Sequence, residues 1–484
     1  MRHYLMYRWL TAGILSIGLL VTWTRLISDA PIEKDAVQTL RMAVNLERHG
    51  VMSLDETPPY GPSNYREPVP AIVSAAAVWF LDATHGKVDS EAYFSGIRLK
   101  YLKYQNIFWL GLLSIGVFLA MRLFSSYFYL NLLAVVLVNI SFCRDSGIID
   151  NLYTDLPAAA VATLASVALT IAVTRQSPRL ALLAGLLFGI LVLIKAAVLY
   201  VFVGVVAVLV GFCLFRPVVI PLLTRVRDLI VLVVAFGVVV GPWMYRNHVY
   251  FGSFQISQRA GVVLMMRAVK DQMTLEEYRG SFYVWAQPRL QHLVGKLLGF
   301  NARDLQRGGR LQHLNTNPDS DFAADDLAAE LAGRPDETIT YYRRARAERV
   351  KLEQEYYAAE HPQPEAEADT VLKQRAMSLI LAHPLRHIAL IVPFMWRGAF
   401  FAFPTLVIVL AWAARQRRAD LAIFALPALG IVMFYALFSH FIGRYSVPVS
   451  PVITVLDVLI FKQLWDFAQR DRRPGVPRIA ETRN

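Results

Sequence analysis

The fold is decided by the segment Asp35-Ala36-Val37-Gln38-Thr39-Leu40-Arg41-Met42-Ala43-Val44-Asn45-Leu46-Glu47-Arg48-His49-Gly50 and the later run Tyr65-Arg66-Glu67-Pro68-Val69-Pro70. It follows one long apolar run, Leu10 to Val21, which itself follows the basic start Met1-Arg2-His3-Tyr4. Leu40, Ala43, Val44 and Leu46 share one helical stripe, so the spacing predicts a helix from Asp35 with Gly50 as its C-terminal cap. Asp35 then occupies the first turn, where the helix dipole favours a carboxylate. Its plain reading is an N-terminal helix charge. Prolines from Pro58-Pro59 to Pro68 and Pro70 stiffen the loop between. A polar segment carrying a carboxylate just outside a membrane-length helix is a candidate surface for chemistry.

Composition agrees that the chain lives in a bilayer. Of 484 residues, 56% are hydrophobic and 18% charged, and mean hydropathy is +0.41. Soluble domains carry about a quarter charged residues, and here the apolar residues gather in runs of membrane-spanning length. Net charge is +12. The basic residues sit in short loops beside apolar runs, which sets topology and attracts anionic lipid headgroups. No nucleic-acid partner is needed to explain them. Cys143 and Cys213 have no metal spacing and fall at opposite faces, so no disulfide is expected. No small-residue cleavage site follows the first run, which reads as an uncleaved signal anchor.

The expected spans are 9–27, 105–123, 127–142, 155–173, 180–194, 196–215, 229–244, one crossing within 385–414, 421–439 and 448–464. In 385–414, residues 385–396 read as an interfacial helix feeding a crossing from about Phe400, because Arg397 interrupts the run. Basic clusters at Arg175–Arg179, Arg216–Arg227, Arg415–Arg418 and Arg470–Arg473 all become cytoplasmic if both termini are, giving about ten spans. About eleven spans, with an external C-terminus, breaks the charge rule twice. The class is therefore an all-α polytopic membrane protein: a bundle of about ten to eleven helices, with external juxtamembrane helices and a long external loop region. Its regions are 1–244, with a first external loop at 28–104 that holds an apolar island at 71–81; a polar, largely helical external region at 245–384; and C-terminal spans with a cytoplasmic tail at 385–484.

That topology brings Asp35, Glu67, Asp150, Asp155, Lys195, Arg246, His440 and Arg444 to one face, and ionisable residues at membrane boundaries collect where function is. Each also has an ordinary reading. Glu67 suits a local salt bridge, Asp155 before Leu156-Pro157 suits a helix N-cap, and Asp150 suits a solvated loop. Lys195, with no acidic neighbour in sequence, either snorkels or binds phosphate. Tyr445 suits an interfacial anchor, whereas Arg246 and Arg444 are less easily explained that way.

The order Asp35…Asn45-Leu46…Gly50, Arg66-Glu67-Pro68-Val69-Pro70, Tyr153-Thr154-Asp155, Ala184-Gly185…Gly189 with Lys195, Pro242-Trp243 with Arg246-Asn247, and Arg444-Tyr445 with Pro448 resembles the GT-C glycosyltransferases. It is most similar to the glycosyltransferase family 39-like branch of dolichyl-phosphate-mannose-protein mannosyltransferases and aminoarabinose transferases. Here Ala36 follows Asp35 where the family often has Asp-Glu, and Arg66-Glu67 stands where the aminoarabinose branch has a Lys before paired prolines. The resemblance implies a GT-C-type bundle in which residues 1–244 are the catalytic module. It implies inverting transfer of a sugar from a polyprenyl-phosphate donor to a protein, lipid or glycan acceptor at the external face; the general look of the chain suggests a bacterial inner membrane, whose external side is the periplasm. In that reading Asp35 is the general base, with Asp155 and Glu67 orienting the acceptor or helping to hold a divalent cation. Lys195, Arg246, Arg444, Tyr445 and His440 contact the donor phosphate, and Tyr65, Arg66 and Asp150 belong to the acceptor loop. The rival classes are a lipid-linked glycan ligase or polymerase of related fold, a secondary transporter, and a scaffold whose long loop recruits partners. No internal repeat supports a transporter.

Overall fold

A backbone inside a bilayer must satisfy its own hydrogen bonds, and long apolar runs do so as helices. The computed structural model describes residues 2–215, 222–361 and 363–471, and every regular element among them is helical. Arg216, Arg472 and Arg473 of the expected basic clusters lie outside the described residues.

The expected spans coincide with helices Arg2–Leu26, Gln105–Phe124, Phe128–Arg144, Asp155–Arg175, Pro178–Ile194, Val198–Phe215, Leu222–Phe251, Ala402–Arg415, Ala419–Phe438 and Ser450–Asp471. Fewer than the expected ten to eleven are both long and apolar enough to cross a membrane. Among the described residues four helical segments meet both tests: Gly96–Phe124, Asp155–Arg175, Ala419–Phe438 and Gly443–Gln469. Leu10–Leu26, Phe128–Arg144, Pro178–Ile194, Val198–Leu214 and Ala402–Arg415 are apolar but shorter. The shortening has local causes. A break at Lys195 separates two apolar helices, and the long run near Arg397 stops at Gly398 and restarts at Ala402. Just before it, the chain bends by 95° between Pro364–Ala382 and Pro384–Gly398. Leu222–Phe251 runs on past residue 244 as one helix of 30 residues.

The helix Asp155–Arg175 is the centre of the bundle. It is buried on almost every face and packs against Gln105–Phe124, Pro178–Ile194 and Ala419–Phe438. Its run of alanines permits that, since small side chains let membrane helices approach closely. Gly185 shows the same constraint between Pro178–Ile194 and Leu222–Phe251, where a Cβ would lie 2.2 Å from the Leu232 carbonyl oxygen.

The segment 28–104, expected to be the first external loop, folds as a separate small core. The helix Asp35–His49 forms as its spacing predicts, and Gly50 closes it in the left-handed conformation at φ 70°, its N–H donating to Leu46 O. The apolar island becomes helix Pro68–His85. Ala71, Ala75, Val78 and Leu81 join Leu40, Ala43 and Val44 in this core, while Ile72, Trp79 and Phe80 are exposed, as suits a helix lying at the interface. Region 245–384 is built of short helical pieces up to Leu331 followed by two longer helices, Tyr341–Ala358 and Pro364–Ala382. It is fastened to the bundle by Arg267, wholly buried, which pairs with Asp271 at 2.9 Å and donates to the Ala436 and His387 carbonyls.

Gly185→Ala wedges the two helices apart, and overpacking of this kind costs about 1–3 kcal/mol. The melting temperature of the purified variant in detergent should fall. Gly18→Ala, whose added Cβ meets nothing within 4 Å, is the control and should melt like the wild type.

Candidate active site

Following the chain through the bundle, Asp35, Asp155, Lys195 and Arg444 all emerge at the end that carries the large polar regions. The structure goes further and joins them side chain to side chain. Asp155, the first residue of its helix, has no exposed side-chain surface, and its Oδ1 lies 2.9 Å from Lys195 Nζ. Its other oxygen accepts from Arg444 Nε at 2.5 Å. Lys195 sits in the break between two helices, so its partner is remote in sequence. Glu67 supports that break, accepting from the Ala196 N–H at 3.2 Å.

Arg444 also reaches Asp35, with Nη2 3.7 Å from Oδ2, and lies over the Tyr153 ring at 3.8 Å. Asp35 differs from Asp155 in access: 35% of its side chain is exposed. Arg66 Nη2 donates to Asp35 at 2.5 Å, and Arg66 Nε to Gln38 at 2.8 Å. Arg259 Nη1 stands 3.9 Å from Asp35. Burial pushes the Asp35 carboxyl up, but Arg66 and Arg259, with Arg444 behind them, outweigh it and hold the group at about 2. Four cations thus surround three carboxylates, Asp35, Asp155 and Glu67, leaving positive charge in excess around an accessible carboxylate.

The remaining candidates divide. Tyr65 holds the edge of the cluster: Arg66, Arg259 and Arg349 all lie over its ring, and its hydroxyl accepts from Arg349 at 2.9 Å. Tyr445 stacks on Tyr435 with centroids 4.8 Å apart, and His440 lies 5.3 Å from Tyr445. Two residues are drawn elsewhere. Arg246 makes no ion pair among the described residues; it is caged by Trp243, Tyr250 and Phe251 and donates to Ser63 O. Asp150, expected to be solvated, accepts from the Ser28 N–H at 2.7 Å and from Lys103 at 3.0 Å. This clasp holds the end of the first helix. Among the described residues no group of three or more His, Cys, Asp or Glu comes together to hold a metal ion. Cys143 and Cys213 are free.

Sequence reasoning missed Arg259, Gln38 and Tyr435. Arg259 lies in a short polar stretch with no periodic or motif signal. Only the return of the 245–384 region over the first loop brings it to Asp35, as the Gln258 N–H donating to Asn64 O shows.

No protein-family model matches this chain, and no curated protein does. Among solved structures it is similar to the archaeal oligosaccharyltransferase AglB from Archaeoglobus fulgidus, solved with an inhibitory peptide and a dolichol-phosphate. Identity is 12% and the TM-score 0.46, over 96% of this chain. The chain spans 52% of the length of that protein.

Asp155→Asn leaves Lys195 in the packed interior without its counter-charge, a change that costs about 3–5 kcal/mol. Thermal unfolding should register the loss, and adding Lys195→Met should recover part of it. A second expectation concerns acid. Because Asp35 is depressed from 3.8 to about 2, its ion pairs stabilise the fold fully above the unfolded value and are lost as pH falls through about 2. Arg66→Gln should flatten that acid limb and bring the Asp35 titration back toward the ordinary carboxylate range.

Proposed function

We propose that this protein is an inverting glycosyltransferase of GT-C type, transferring a sugar from a polyprenyl-phosphate donor to an acceptor hydroxyl at the external membrane face. That face is the periplasmic side of a bacterial inner membrane in this reading, and the acceptor is a protein, a lipid or a glycan. One observation carries it: an accessible carboxylate, Asp35, ringed by Arg66, Arg259 and Arg444 at the bundle end where the apolar helices finish. A lipid-borne phosphate has its tail in the bilayer and its charge at that level.

The chemistry follows from the charges. The acceptor oxygen attacks the anomeric carbon as the bond from that carbon to the phosphate oxygen breaks. The acceptor proton passes to Asp35, and the bonding pair leaves with the lipid phosphate. Negative charge grows on that phosphate, so fixed cations stabilise the transition state more than the ground state. Arg444 and Arg66 are suited to this by their planar, multi-donor guanidinium groups. Asp155 acts through Lys195 and Arg444 as a positioning residue.

Asp35 held near 2 is a weak base, and a general base works best with a pKa near the working pH. The bound phosphate answers this difficulty. Competing for the same guanidinium groups, it withdraws the charge that depresses Asp35 and raises its proton affinity once the donor is seated. The base is therefore strengthened only in the loaded enzyme.

Asp35→Asn should keep abundance and membrane insertion while transfer falls by roughly two or more orders of magnitude, measured with a lipid-linked sugar in proteoliposomes. Transfer at wild-type rate would remove Asp35 from the role. Arg444→Ala should raise the apparent KM for the sugar donor. Arg246→Ala, which empties an aromatic cage, should instead lower protein yield and melting temperature.

A further inference from the structure

One residue along the chain from Arg259, the polar region holds a cavity of about 150 Å³ between residues 251–258 and the helix Pro364–Ala382. Gln255, Gln258 and Glu367 line it, together with Phe251 and His361, and all five are half-buried. The side-chain amides of the two glutamines and the Glu367 carboxylate make no hydrogen bond or ion pair among the described residues.

The backbone around these groups is fixed. Asn247 Nδ2 donates to Gln255 O at 2.7 Å, and the Gln258 N–H donates to Asn64 O at 3.2 Å. On the helix, Asp369 accepts from the Gly261 and Val262 N–H groups at 3.0 and 3.1 Å, which ties that wall to the chain just after Arg259. The walls are thus held by bonds that leave the three lining groups free.

Half-buried polar groups without protein partners await water or a ligand. A cavity of 150 Å³ has room for about five waters at liquid density, or for one sugar ring. Each amide presents a donor and an acceptor, and a carboxylate accepts from more than one hydroxyl. Together they complement a ring of adjacent hydroxyl groups. An anion is poorly served, since among the described residues no Lys or Arg lines the cavity while Glu367 does. A metal ion is no better served, because the lining holds no group of three or more His, Cys, Asp or Glu placed to hold one among the described residues.

We propose that this cavity is a subsite for one neutral sugar residue of a glycan acceptor, adjoining the residue whose hydroxyl reacts at Asp35. The inference rests on the transferase reading above and narrows its acceptor from a protein, a lipid or a glycan to a glycan. Gln258 walls the cavity while its neighbour Arg259 stands 3.9 Å from Asp35, so one stretch of chain serves both places. Apolar side chains in the lining are confined to Phe251 and Ala366, which gives a prenyl tail nothing to pack on and suits the substrate that has none.

Ligand-observed NMR on the full-length protein in nanodiscs tests this with the methyl glycosides of glucose, galactose, mannose, N-acetylglucosamine and arabinose. At least one should bind. Its affinity should fall roughly fivefold to tenfold in Gln255→Leu and further in Glu367→Leu, as lost hydrogen bonds to neutral and charged groups require, and Glu367→Gln should retain part of it. These variants remove side chains without protein partners, so they should melt like the wild type. A polyprenyl-phosphate-linked hexose should leave the bound glycoside in place. Binding of none of the glycosides, wild-type affinity in both leucine variants, or displacement by the lipid-linked hexose overturns the acceptor subsite. Failure of the transferase reading looks different: the glycoside binds and responds to the variants, yet no lipid-linked sugar is turned over.

Discussion

Asp155 is the constraint on which the functional end of this molecule depends. It is a wholly buried carboxylate at the start of the most enclosed helix, between Lys195 at 2.9 Å and Arg444 at 2.5 Å. Isolated, each of these charges would be costly at that depth. Together they tie the central helix, the break after Pro178–Ile194 and the turn after Ala419–Phe438 into one unit. Arg444 carries the connection outward to Asp35. The buried pair is therefore the frame, and the exposed carboxylate is what the frame presents.

That division assigns different work to two aspartates that look alike in sequence. Asp155 has no exposed surface and both oxygens in ion pairs, so it cannot meet a substrate without dismantling its own support. Asp35 is reachable and over-supplied with positive charge. Against the upward push of burial, its depressed proton affinity follows from Arg66 and Arg259, with Arg444 behind them. The segment 28–104 makes this possible by having its own apolar core. The helix bearing Asp35 is thereby held by packing of its own apolar face against Pro68–His85.

The 245–384 region is more than a covering. It supplies Arg259 to Asp35 and Arg349 to Tyr65. Arg259 and Arg349 come from a part of the chain with no membrane-length apolar run and no motif. Their anchor is again a buried ion pair, Arg267 with Asp271; Arg267 also donates to the Ala436 and His387 carbonyls, and Asp271 also meets the His387 ring.

Much of the architecture was legible in the chain because it follows from local patterns. Apolar runs marked the helices, Gly50 marked the end of the Asp35 helix, and Arg397 marked the interrupted span. Basic loops placed Asp35, Asp155, Lys195 and Arg444 at one end, since helix alternation needs only a count of crossings. Which cation meets which carboxylate was not legible. Asp155 and Arg444 are 289 residues apart, and Arg246, with the same local look as Arg444, is caged by aromatic rings instead. Periodicity and hydropathy are properties of neighbouring residues, so the sequence by itself determined the helices, their order and the polar end of the bundle. Ion pairing acts through space over a few ångströms, so only the packed tertiary structure decided that Asp35 is the open carboxylate, that Asp155 is the buried one, and that Arg259 stands beside the first.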